Sequence, residues 1–135
     1  MDFSRKLKIL TTLVFAVILV CSFFYPTKAS ACEIDIEING ESNKVYRTGD
    51  IVILKVKVFL THRNCPEGID ATEFQAQGLD ILGATNWTEV SSNHFERLVK
   101  VKITVEGPSE AVFHAKRTCT KEGGYDYLKL DVSNA

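Results

Sequence analysis

The stretch IVILKVKVFLT, residues 51–61, decides the fold. Side chains of an extended chain point alternately to opposite faces, so Val52, Leu54, Val56, Val58 and Leu60 share one side and Lys55 and Lys57 the other. The same residues wound into a helix would spread around its whole circumference. The pattern therefore predicts a strand with one buried and one solvated face, bounded upstream by the turn residues Thr48-Gly49-Asp50.

Working outward, the same period of two recurs. Ile34, Ile36 and Ile38 alternate with Glu33, Asp35 and Glu37, and Asn39-Gly40 ends that run. Downstream, Phe95 to Val105 places Val99, Val101, Ile103 and Val105 against Lys100, Lys102 and Thr104. Glu73 to Gln77 and Leu79 to Ala84 read as a third strand broken by Gly78, a bulge or strand switch. Trp87 to Val90 is a short fourth strand, and Ser91-Ser92-Asn93 turns the chain into Phe95. Gly107-Pro108 precedes a sixth strand, Ala111 to Thr118. Gly123-Gly124 forms a loop before the seventh, Tyr127 to Val132. No amphipathic helix competes within residues 32–135, which hold no repeat or low-complexity tract.

The first 31 residues differ in kind. Arg5, Lys6 and Lys8 precede an uncharged apolar run from Ile9 to Tyr25, then Pro26, then the small residues Ala29-Ser30-Ala31. That is the order of charged, apolar and small-residue regions in a cleavable export leader. At 17 residues the run is near the lower limit for crossing about 30 Å of hydrocarbon, so an uncleaved anchor helix is the alternative. The chain divides into a leader or anchor over 1–31 and one domain over 32–135. Cleavage after Ala31 makes Cys32 the first mature residue. Ser30-Ala31-Cys32 resembles part of the lipobox of bacterial lipoproteins, although Ala29 stands where Leu is usual. The resemblance makes Cys32 the candidate for lipidation, which would tether the domain to a membrane.

Composition narrows the function classes. The chain is 45% hydrophobic and 24% charged, as folded globular proteins are. Without residues 1–31 it keeps 12 basic and 16 acidic residues. Such a mildly acidic domain lacks the positive footprint that phosphate backbones require, so no nucleic-acid partner is expected. Gly-x-Ser-x-Gly, a phosphate-cradling glycine loop and His-Glu-x-x-His are all missing, and no enzymatic activity is expected.

Seven short strands in about a hundred residues is the count of a two-sheet Greek-key sandwich. The long apolar second strand, Gly78-Leu79-Asp80-Ile81-Leu82, Trp87 and Phe95-Glu96-Arg97 together resemble the immunoglobulin-like domains of exported proteins, over residues 33–132. The resemblance is to a superfamily and implies a fold, not a function.

It also implies that the second and sixth strands run in the same direction. Cys65, just past strand two, and Cys119, just past strand six, would then lie at one end of the fold and form a disulfide in an oxidising compartment. Cys32 stays outside that bridge, as a thiol, a lipid attachment point or the partner of another chain. Three readings of this pole compete. The plainest is a stapled loop region in which Arg63 and Arg117 pair with Glu67 and Glu122 at the surface. A second is a surface for a protein or glycan partner built from His62, Arg63, Arg117 and Tyr125, since Arg and Tyr are favoured interface anchors. A third is a copper or zinc site in which His62, Cys65 and Cys119 are soft ligands, joined by His94.

Elsewhere, a lone His114 on strand six is expected to face solvent, and Trp87 to anchor the core or its rim. Asn86-Trp87-Thr88 fits an N-glycosylation acceptor in a host with the modifying enzyme.

Overall fold

The computed structural model describes residues 2–22, 32–42, 45–61, 67–119 and 123–134. An N-terminal helix, α1 (Asp2–Ser22), is followed by eight strands: β1 (Cys32–Ile38), β2 (Ile51–Leu60), β3 (Thr72–Gln77), β4 (Leu79–Ala84), β5 (Thr88–Ser91), β6 (His94–Ile103), β7 (Ser109–Arg117) and β8 (Gly124–Val132). Helix α1 carries the apolar run from Ile9 as far as Ser22, with Phe3, Leu10 and Phe15 exposed. Among the described residues no helix is long and apolar enough to cross a membrane.

The strands form two antiparallel sheets. In the larger the order is β1-β2-β6-β4, with β5 also on β6, and in the smaller it is β3-β7-β8. The alternation read from the sequence sets their inner faces. Val52, Leu54, Val56 and Val58 of β2 and Val99, Val101 and Ile103 of β6 are buried. They join Ala111, Phe113, Ala115, Leu130 and Val132 of the smaller sheet in one core. Phe113 stands between two alanines on its strand, with its ring centroid 5.3 Å from that of Phe74. The large side chain thus fills space that its small neighbours leave open.

The expected third strand is two strands in different sheets. Gln77 pairs with Val112 in the smaller sheet and Leu79 with Ile103 in the larger, so the chain reverses and changes sheet at Gly78. This is why there are eight strands and not seven. Gly78 has φ 68°, its carbonyl accepts from Thr104 N (3.0 Å) and Val105 N (3.2 Å), and a β-carbon there would stand 2.9 Å from that of Val105. Only glycine meets both conditions without strain. The same two hydrogen bonds turn Thr104 and Val105 away from the ladder, so β6 ends at Ile103 and not at Val105.

Tyr46 belongs to no strand yet is 4% exposed. Its N–H donates to Asp131 O (2.8 Å) and its carbonyl accepts from Ser133 N (2.9 Å), which clips the β1–β2 connection onto the end of β8. Trp87 is half-buried at the rim, 6.2 Å from Phe74, with the Arg97 guanidinium 5.0 Å from its ring centroid. It is the rim anchor the sequence led one to expect.

Candidate functional site

Register places one end of the sandwich. Cys32 at the start of β1 pairs with Leu60 at the end of β2, Phe59 pairs with His94 at the start of β6, and Arg117 at the end of β7 pairs with Gly124 at the start of β8. Leu60 N donates to Asn93 O at 2.9 Å, which ties the β5–β6 turn to the same end. Gly124 joins the two sheets there, since a β-carbon on it would lie 2.5 Å from the Cys32 carbonyl oxygen. β2 and β7 therefore both finish at this pole.

The expected site residues divide unequally. His62, Arg63 and Cys65 lie outside the described residues. Cys119 is half-buried two residues beyond β7. The pairing of Cys65 with Cys119 and the copper or zinc set of His62, Cys65 and Cys119 thus fall partly outside the described residues. Among the described residues, no group of three His, Cys, Asp or Glu side chains could hold a metal. His94 sits on the outer face of the larger sheet, with its ring 5.0 Å from that of Phe59. Cys32 is 1% exposed on the inner face of β1, alongside Ile34 and Ile36. Lipid attachment there would require β1 to release its first residue.

Arg117 does not stand at the surface. The inward parity of Ala111, Phe113 and Ala115 continues into it, and it is 1% exposed. Its Nη1 donates to Thr72 Oγ1 (3.3 Å), whose hydroxyl donates to Ile69 O (2.9 Å). Among the described residues, its buried Nε and Nη2 make no hydrogen bond.

Tyr125 is 57% exposed and belongs to a cluster that the sequence reading did not assemble. On the outer face of the smaller sheet, the β7–β8 register sets His114 opposite Tyr127, with Tyr125 one step nearer the pole. His114 Nδ1 and Tyr125 Oη share a 2.6 Å hydrogen bond. The ring centroids of His114 lie 5.9 Å from Tyr125 and 6.3 Å from Tyr127, and the two tyrosines are 6.1 Å apart. His114 is half-buried beside these rings, where the sequence led one to expect solvent. The Tyr-x-Tyr spacing was the available signal; the register that brings His114 to it was not.

The outer face of the larger sheet is ionic. Lys57 Nζ lies 2.8 Å from Glu37 and 3.7 Å from Asp35, and Lys55 lies 3.9 Å from Glu37. The hydrogen bond from Lys57, helped by the charges of Lys57 and Lys55, holds the Glu37 carboxyl below its ordinary pKa. The same hydrogen bond and the charges of Glu37, Asp35 and Glu96 hold Lys57 above its own. These groups satisfy one another across the strands. On the edge beyond, Asp126 Oδ2 accepts from Ile36 N at 3.1 Å and fastens β8 to β1. Asn86, in the β4–β5 connection, is exposed.

This end of the sandwich thus presents two exposed phenols beside a histidine, and a buried arginine close behind them. The chain matches no protein-family model, no curated protein and no solved structure.

Proposed function

We propose that the chain is an exported, non-catalytic binding domain of immunoglobulin-like topology. Its partner surface is the pole at which β2 and β7 end, around Cys119, with the adjoining face of His114, Tyr125 and Tyr127. The topological reading is supported by strand order: β1-β2-β6-β4 against β3-β7-β8 has the ABED and CFG arrangement of a constant-type sandwich, with β4 and β5 sharing the D position. The binding reading rests on one observation. Two tyrosines, 57% and 50% exposed, stand side by side on a rigid sheet at the loop-bearing end of the fold. Tyrosine offers a large amphipathic contact area at little conformational cost, which is why it recurs as an interface anchor. Export is supported by the charged, apolar and small-residue order of the first 31 residues.

The test is retention of a partner by the exported chain. Wild type, tagged at its C-terminus and recovered with its surroundings, should hold a protein or glycan that a Tyr125→Ser/Tyr127→Ser variant of equal stability loses. Equal retention by both would move the surface elsewhere. No partner for either would remove the binding reading.

A further inference from the structure

Register lays out the outer face of the smaller sheet as a grid. Gln75 of β3, His114 of β7 and Tyr127 of β8 share one row. Glu73, Lys116 and Tyr125 form the row nearer the pole, and Gln77, Val112 and Lys129 the row beyond. These side chains face outward because the residues between them, Phe74, Ala76, Phe113, Ala115 and Leu128, turn to the core. β8 therefore lines one border of the face with rings and β3 lines the other with exposed amides, with His114 between them. The 2.6 Å hydrogen bond between His114 Nδ1 and Tyr125 Oη, and the stacking of those two rings, fix the aromatic border in place.

The charges around this patch are matched in sign. Glu73 stands opposite Lys116, Lys129 Nζ lies 3.4 Å from Glu110, and Asp131 stands one row further out, opposite Glu110. A strongly acidic or basic partner would meet both signs at once, so its charge would gain little here. What the face offers unopposed is aromatic surface and amides. A glutamine amide carries two donors and an acceptor oxygen, which suits a hydroxyl that both donates and accepts. A tyrosine ring is a flat apolar body with a polar tip. One partner uses both together: a hexose ring with equatorial hydroxyls, whose C–H bonds make its faces apolar while its hydroxyls project from the perimeter. Tyr125 and Tyr127 follow one another along β8 with centroids 6.1 Å apart, a straight row that fits an extended chain of such rings.

We propose that the outer face of the smaller sheet binds a neutral glycan of equatorially hydroxylated hexoses, stacked on Tyr125 and Tyr127 and hydrogen-bonded by Gln75 and Gln77. The proposal deepens the binding reading above and rests on it for the location of the partner. It commits that surface to a glycan, and a protein segment becomes an outcome of the test.

The full chain, labelled with 15N and 13C, tests this with cellohexaose and chitohexaose as probes and a heparin hexasaccharide as the anionic control. The ring resonances of Tyr125 and Tyr127 and the side-chain amide of Gln75 should shift saturably with a neutral probe and not with heparin. Tyr127→Ala should weaken the apparent affinity about fivefold, as loss of an aromatic contact does. Gln75→Ala should weaken it about threefold, as loss of one hydrogen bond does. Lys57→Gln, on the other sheet, should leave it unchanged. The wild-type shifts decide the matter if a variant fails to fold. Resonances that ignore both neutral probes overturn the proposal. So do shifts that heparin reproduces, and an affinity that Tyr127→Ala leaves intact. A protein that wild type retains and Tyr125→Ser/Tyr127→Ser loses, while both oligosaccharides are ignored, removes the glycan and keeps the surface, so the two failures are separate results.

Discussion

Cys32 and Gly124 meet backbone to backbone. A methyl group on Gly124 would stand 2.5 Å from the Cys32 carbonyl oxygen and 3.2 Å from its β-carbon, so the first residue of β1 and the first residue of β8 close the sandwich at the pole. Gly124→Ala must therefore push β1 and β8 apart. A loss of about 1–3 kcal/mol in urea unfolding is expected, as for overpacking elsewhere in protein interiors. An unchanged midpoint would mean that the two strand ends do not touch.

Phe113 and Tyr127 sit on neighbouring strands of the smaller sheet but on opposite faces. Phe113→Ala removes a fully buried ring and should cost about 3–5 kcal/mol. Tyr127→Ser removes a half-exposed one and should stay within about 1 kcal/mol of wild type. Comparable losses in the two chemical melts would mean that the sheet presents its faces the other way round.

The Glu37–Lys57 pair gives a pH signature. Glu37 is held below its ordinary carboxyl pKa of 4.5, so its contribution is complete above that value and is lost as pH falls through the lower folded value. Lys57 is held above 10.5, so its contribution is complete below that value and is lost as pH rises through the higher folded one. The stability difference between wild type and Lys57→Gln should be flat between 4.5 and 10.5, shrink under stronger acid, and weaken in high salt. A difference that persists undiminished in strong acid would contradict the pairing.

If Cys65 and Cys119 are bridged, the closed loop constrains the unfolded chain by roughly 4 kcal/mol in the chain-entropy description. Cys65→Ser and Cys119→Ser should then each lose about that much, and the double variant no more than either alone. A Cys32→Ser variant that matches Cys119→Ser, while Cys65→Ser does not, would reassign the bridge.

What the sequence discloses of this fold is what alternation can carry. Val52 to Val58, Val99 to Ile103 and Ile34 to Ile36 lie on inner faces because a period of two admits no other burial of those residues. Gly78 was legible as an interruption, and its role as a sheet switch follows from a positive φ and the proximity of Val105, both set by tertiary contact. Gly124 was read as loop. It opens β8 because its missing side chain lets the chain pass Cys32, a property of the neighbour and not of the glycine. Tyr46 was not foreseen in the core, since its burial comes from main-chain bonds to Asp131 and Ser133, far away in sequence. At the site, Tyr125 was identified, but its ring partners His114 and Tyr127 depend on the β7–β8 register. Arg117 was read as a surface anchor because charge usually lies outside. The inward parity of β7 overrides that preference.

The central proposal is an exported sandwich domain that begins at β1, with the Cys65–Cys119 bridge that the sequence leads one to expect. The intact mass of the chain recovered from outside the cytosol, taken with and without reductant, tests it most directly. A mature chain starting at Cys32, without an acyl chain and two hydrogens lighter before reduction than after, is the expected result. The full 135 residues with every thiol reduced would contradict it.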